Sequence, residues 1–83
     1  MLLLLYGDIM LSGRIFNMIE RIEDHASRAM GREIMAHELA WLAPRLKSYQ
    51  DRDTKPLAFY NWLCKVLDAI AADGFDWSRG PQD

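Results

Sequence analysis

The segment PLAFYNWLCKVLDAIAAD, residues 56–73, is apolar around most of a helical circumference, which limits the folds open to an 83-residue chain. At about 100° per residue, its large side chains form one core stripe and a second apolar strip beside it. The core stripe is Phe59, Tyr60, Leu63, Leu67, Ile70 and Ala71, and the second strip is Trp62, Val66 and Ala69. The apolar arc exceeds roughly 200°, whereas a surface helix commonly needs a little over 100°. Such a helix has to be covered on two sides.

Two earlier segments have the apolar periodicity of helices that could cover it. The stripe of residues 9–30 is Leu11, Ile15, Met18, Ile19, Ile22, Ala26, Ala29 and Met30, and that of residues 32–50 is Met35, Leu39, Leu42, Leu46 and Tyr49. Gly31 is placed as a helix-terminating residue, and Pro44 predicts that the second helix is kinked or split there. No run alternates with period two for long enough to build a sheet, so the sequence predicts an all-α three-helix bundle.

The domain organisation follows from these segments. We expect one helical domain, 1–83, with an arm at 1–8, helices at 9–30, 32–50 and 55–73, and a tail at 75–83 that is frayed after Trp77. The arm, MLLLLY and the two residues after it, is too short to span a bilayer and lacks the basic region of a secretory signal. It is interpreted as a short apolar arm that packs on the domain or on a second copy; alternatively, Met10 is the natural start.

Composition narrows the class of function. A net charge of −2 argues against non-specific nucleic-acid binding, which usually needs a basic excess. Cys64 is the only cysteine, so an intrachain disulfide is impossible, and a reducing, cytoplasmic setting is expected with Cys64 as packing material. Neither a membrane nor a cofactor is expected as a partner.

Catalytic and metal-binding patterns are weak. HELAW, which begins at His37, resembles the start of a zinc-protease helix but lacks the second histidine. Glu33, His37 and His25 could share a metal ion, although a solvated Glu–His pair is the preferred interpretation. Carboxylate pairs such as Glu20 and Asp24 fall on predicted solvent-facing surfaces, which do not have the desolvated surroundings of acid–base catalysts. The sequence therefore predicts a protein that is not an enzyme and holds no metal.

Apolar residues outside the core stripes predict a protein-binding surface. Ile34 and Trp41 point away from the stripe of the second helix, and Trp62 and Val66 belong to the second strip of the third. Tryptophan is a favoured interface anchor. For Trp62, burial in the monomer and burial at an interface both remain open, whereas for Trp41 an interface is favoured. We expect a small bacterial or phage-encoded regulator, inhibitor or adaptor that binds stoichiometrically to another protein or to itself as a homodimer.

Arg14, Arg21 and Arg28 line up along one edge of the first helix at intervals of seven. A solvated face with pairing to Asp24 is the preferred interpretation, and contact with an acidic partner is the second. The same row supports an alternative function, a helix-turn-helix-like DNA-binding regulator, although the third helix is too apolar for a recognition helix. A structural subunit of a larger assembly, with MLLLLY as an inter-subunit clasp, is a further alternative.

Overall fold

A computed structural model describes residues 2–82 of the chain, with side chains for residues 10–82. It contains α1 (Leu2–Met30), a 3₁₀ turn (Ala36–Glu38), α2 (Ala43–Gln50) and α3 (Pro56–Ala71). No strand occurs between residues 2 and 82, and the predicted all-α class with three helices is confirmed. In the same part of the chain, no helix combines the length and the apolarity that crossing a bilayer requires.

α1 and α3 form the central pair. Leu11 shares a groove with Leu57 near the start of α3, and Arg21 shares one with Asp68 near its end, so the two helices run in the same direction. The chain returns between them through the 3₁₀ turn and α2. The buried core is Ile15, Met18, Ile22, Ala26, Ile34, Ala36, Leu39, Leu42, Phe59, Leu63 and Val66. The loop between α1 and α2 therefore contributes to the core, whereas α2 has no buried residue.

α1 begins earlier than the sequence predicts. The expected start was residue 9, after a separate arm, but the helix begins at Leu2 and the backbone of residues 2–8 belongs to it. Leucine is a strong helix former, and no proline interrupts this segment. The side chains of residues 2–9 lie outside the described part of the structure, and with them the predicted packing of the apolar arm. At about 1.5 Å per residue, a helix of 29 residues is as long as the 44 Å long axis of the molecule.

The helix predicted over 32–50 is wrong in its first half. Side chains bind three successive backbone N–H groups there and hold the chain in a loop. Ile34 N donates to Ser27 Oγ (2.8 Å), Met35 N to Glu38 Oε2 (2.7 Å) and Ala36 N to Glu23 Oε2 (2.7 Å). α2 starts only at Ala43, and Pro44 lies in its first turn, where proline is tolerated, rather than at a kink.

The same loop corrects the prediction for Ile34. We expected this side chain to be exposed as part of a binding surface, but it is 2% exposed and belongs to the core. Because the segment is not helical, the helical stripe does not decide which side chains face inward. Met35, which the stripe assigned to the core, is instead exposed.

The C-terminal tail is ordered against the helices, which corrects the prediction that it is frayed after Trp77. α3 ends at Ala71, two residues before the expected end, and Gly74 then adopts a left-handed φ of +83°. The chain folds back through a turn in which Gly80 N donates to the carbonyl of Asp76 (2.8 Å). Gly80 itself is buried. We call residues 75–82 the C-terminal strap.

Candidate functional site

One flank of α3 is covered by an aromatic cluster that includes the C-terminal strap. The Trp41 ring lies 6.2 Å from Trp62, 5.7 Å from Phe75 and 6.3 Å from Trp77. Its indole N–H donates to the carbonyl of Trp77 at 2.8 Å. Trp41 is therefore half-buried by the protein's own tail rather than freely exposed, and its role as an interface anchor stays a prediction.

Trp62 and Val66 belong to the same covered flank. Trp62 stacks on Phe59 at 6.1 Å and 14°, and the Arg45 guanidinium lies 4.5 Å above its ring. Trp62 is thereby half-buried among residues of its own chain, and Val66 is fully buried, at 0% exposure. Ile34, Trp41, Trp62 and Val66 do not form an exposed patch, because the loop after α1 and the strap fill the space that the sequence left open.

The other flank of α3 borders a groove along the seam with α1. Arg14, Asn17, Met18 and Arg21 line it from α1, and Tyr60, Cys64, Leu67 and Asp68 line it from α3, around a volume of about 400 Å³. A second, adjoining groove shares Arg14 and Tyr60 with the first and extends to Met10, Leu11 and Leu57. We call the two together the α1–α3 groove.

The floor of the α1–α3 groove is largely apolar and partly exposed. Tyr60, Cys64 and Leu67 are half-buried along it, and at its end Leu57 is 59% exposed. Of the five strongly exposed large apolar side chains described, Met10 and Leu57 border the groove, whereas Phe16, Met30 and Met35 do not. The one that belongs to α3, Leu57, therefore lies in this groove rather than on the predicted Trp/Ile surface.

Two arginines of the predicted row stand at its rim. Arg14 and Arg21 are exposed, and neither forms an ion pair within the part of the chain whose side chains are described. The ion pairs present there are Arg32–Glu38 and Lys47–Asp51. The predicted pairing with Asp24 is not formed, and Arg28 is exposed but does not line the groove. Among the described side chains that line the groove, Asp68 is the one carboxylate.

The titratable groups with shifted pKa lie elsewhere. Hydrogen bonds from Met35 N and Arg32 lower the pKa of Glu38, and hydrogen bonds from the Ser78 hydroxyl and N–H lower the pKa of Asp76. Both carboxylates stabilise turns at the surface. Among residues 10–82, no three His, Cys, Asp or Glu side chains converge as metal ligands, and His25, Glu33 and His37 form no such group.

No family model, curated protein or solved structure matches this chain. Its site is therefore interpreted from its own geometry. Sequence reasoning found the arginines but missed Leu57 and Cys64, which lie one heptad apart on α3 and mark the edge of its apolar arc. The seven-residue spacing of Leu57 and Cys64 was the signal in the sequence that could have identified them. It does not show which edge of α3 is left uncovered by α1, because that depends on tertiary packing.

Proposed function

We propose that this protein is a non-catalytic regulator or adaptor that binds an acidic amphipathic helix of another protein in the α1–α3 groove. One observation carries the proposal: an apolar, partly exposed floor is bordered by Arg14 and Arg21, for which the described chain supplies no carboxylate partner. A protein that exposes apolar surface between fixed charges has the features of an interaction site.

The dimensions favour a helix as the occupant. Among the described side chains, those that line the groove from α1 run from Met10 to Arg21, and eleven helical steps of about 1.5 Å span roughly 16 Å. About three turns of an amphipathic helix fit that length, with apolar residues on the floor in the manner of helix-in-groove recognition. Such a partner would cover the remaining apolar edge of α3, next to Leu57 and Cys64.

Charge favours an acidic partner over a second copy. A twofold dimer places the same patch against itself, so the arginine rows of the two copies would meet. Like charges brought together at an interface oppose association. Carboxylates on a different protein would instead pair with Arg14 and Arg21. Duplex DNA is a poorer fit, because the net charge is −2 and Glu20 and Asp24 are exposed on the same helix.

The reactivity of Cys64 can be used to measure whether the α1–α3 groove is occupied. It is the only cysteine and lies half-buried among the groove residues, so the rate of its alkylation reports whether the groove is covered. The probe is a synthetic amphipathic peptide with two glutamates seven residues apart and leucines between them. We expect it to slow alkylation of Cys64, whereas a peptide with lysines in place of the glutamates should not.

Charge reversal identifies the arginines that matter. We expect R14E/R21E to weaken binding of the glutamate peptide about tenfold, which corresponds to about 1.4 kcal/mol, while R28E changes it by less than about twofold. Arg28 is a matched control because it continues the same row outside the groove lining. Equal protection by both peptides, no effect of R14E/R21E, or no binding at all would contradict the proposal. Protection of Cys64 that rises with protein concentration alone would indicate a second copy instead.

A further inference from the structure

The C-terminal strap lies over Trp41 in the way that a bound peptide lies on a receptor. Phe75 and Trp77 contact each other edge-on at 4.7 Å, and both pack on the Trp41 ring. Gly80 lies so close that a Cβ atom there would be 2.6 Å from Trp41 Cδ2 and 2.8 Å from Trp41 Cβ. The strap thus presents two aromatic side chains, spaced by one residue, and a glycine that permits close approach.

Few polar contacts join the strap to the helices. Within the described side chains, the hydrogen bond from Trp41 Nε1 to the Trp77 carbonyl is the one that links them. The other hydrogen bonds of the strap are internal: the Ser78 N–H and hydroxyl both donate to Asp76 Oδ1, at 2.9 and 2.6 Å. The strap therefore keeps its own turn without relying on the rest of the fold.

The fully buried part of the core lies outside the strap. All fully buried apolar side chains described between residues 10 and 82 lie between Ile15 and Val66, and the connecting residues 72–74 are exposed. Phe75 and Trp77 of the strap pack on the Trp41 ring, whereas Trp62 also stacks on Phe59 and is covered by Arg45. Opening of the strap would thus first uncover the outer face of the Trp41 indole.

We propose that the C-terminal strap is a displaceable internal ligand, and that the Trp41 face beneath it binds a partner segment with two aromatic side chains spaced as Phe75 and Trp77 are. The strap occupies this surface in the closed state and competes with the partner for it. This proposal does not rest on the function proposed for the α1–α3 groove, which lies on the opposite flank of α3.

Hydrogen exchange in the unaltered protein tests whether the strap opens by itself. Local opening exposes some groups without global unfolding, and those groups exchange faster than the core. We expect the Trp41 indole N–H and the Gly80 amide to exchange at least about 100-fold faster than the amides of Ile22 and Leu63, after correction for intrinsic rates. Exchange of all four groups at the same rate would overturn the proposal, because the strap would then leave only when the whole protein unfolds.

A variant at Gly80 tests the binding surface. G80A places a methyl group against Trp41, and G31A is its matched control, since Gly31 has a similar φ (+71° against +81°) and open space around it. The probe is a fluorescein-labelled peptide of residues 73–82, followed by anisotropy. We expect it to bind G80A at least about tenfold more tightly than G31A or the unaltered protein, because a tethered segment competes at about millimolar effective concentration. The same peptide with W77A should not bind.

Three results would contradict the displaceable strap: equal binding of the peptide to G80A and to G31A, no binding to either, or loss of the helical circular dichroism spectrum in G80A alone. The last would show that the strap belongs to the cooperative core. Tryptophan emission provides a second reading, because all three tryptophans of the chain lie in this cluster. We expect a red shift of the emission in G80A and none in G31A.

Discussion

The two flanks of α3 carry similar apolar side chains but differ in how they are covered. On one flank, Val66 is fully buried and Trp62 is half-buried against Trp41, on which the C-terminal strap packs, with Arg45 over the Trp62 ring. On the other, Leu57 and Cys64 border the α1–α3 groove and remain partly exposed. A wide apolar arc on a short helix therefore does not by itself identify an interface. Which edge stays open is decided by segments far away in the sequence.

The largest expected effect comes from truncating Trp41 on the covered flank. W41A removes the ring that Trp62, Phe75 and Trp77 contact, and we expect it to lower the free energy of unfolding by about 3 kcal/mol, the low end for buried aromatic truncations. Urea denaturation measures this change. The control is F16A, at a ring that is 62% exposed, for which we expect a change within about 0.5 kcal/mol. If W41A were as stable as the parent, the contacts on the covered flank would not stabilise the fold, and the two flanks would not differ in this respect.

A smaller effect on stability is expected from replacing an arginine on each flank of α3. The Arg45 guanidinium lies 4.5 Å above the Trp62 ring, and an exposed cation–π contact is worth about 0.5–1 kcal/mol. We expect R45Q to lower the free energy of unfolding by that amount, and R14Q, at an arginine with no ion pair in the described chain, to leave it unchanged. Equal changes in the two variants would mean that Arg14 has a stabilising contact as well.

The sequence predicted the helices best where local pattern decides. The stripe of α1 matches its buried side as far as Ala26, whereas Ala29 and Met30 are exposed, and Gly31 has the left-handed φ of +71° expected of a residue that ends a helix. The prediction failed over residues 32–42, where Glu23 binds the N–H of Ala36 from thirteen positions away. It failed again at the tail, because the hydrogen bond from Trp41 to Trp77 joins residues thirty-six positions apart. Periodicity contains no information on such contacts.

The sequence predicted the α1 side of the candidate site but not its α3 side, because the α3 side depends on contacts between distant segments. The spacing of Arg14 and Arg21 places both on one edge of α1, and the structure puts both on the groove rim. The opposite wall, with Tyr60 and Cys64, depends on which edge of α3 packs against α1. Ile34 is not exposed as predicted, because a helical pattern was extended to a segment that is not helical, and Trp41 is half-buried by a contact with Trp77 that periodicity does not predict.

We expect pH to have a smaller effect on the strap than the Trp41 and Arg45 substitutions have on stability, because Asp76 is solvent-exposed. Hydrogen bonds from Ser78 lower the pKa of Asp76, and the nearby charge of Arg79 acts in the same direction. A pKa that is lower in the folded state gives a stabilising contribution that is present above the ordinary pKa of about 3.9. That contribution is lost as the pH falls through the lower, folded value. We expect acrylamide quenching of tryptophan emission to increase below about pH 4.

The control for this measurement is D76N, which keeps an oxygen acceptor for Ser78 but cannot titrate. Hydrogen bonds lower the pKa of Glu38 as well, so the informative quantity is the difference between the two proteins. We expect the unaltered protein to show a larger rise in quenching on acidification than D76N. Identical curves would mean that the charge of Asp76 does not hold the strap in place.

The smallest expected effect lies on the open flank, and it is the sharpest test of the comparison. Leu57 is 59% exposed, so we expect L57Q to change the free energy of unfolding by less than about 0.5 kcal/mol. The matched control is V66T, which puts a hydroxyl at a fully buried position of the same helix and should cost about 1–3 kcal/mol. If L57Q also lowered the free energy of unfolding by more than about 1 kcal/mol, Leu57 would be buried in solution, either by its own chain or by a second copy. Sedimentation at two protein concentrations would then separate the sources, because cover by a second copy is lost on dilution and cover from within one chain is not.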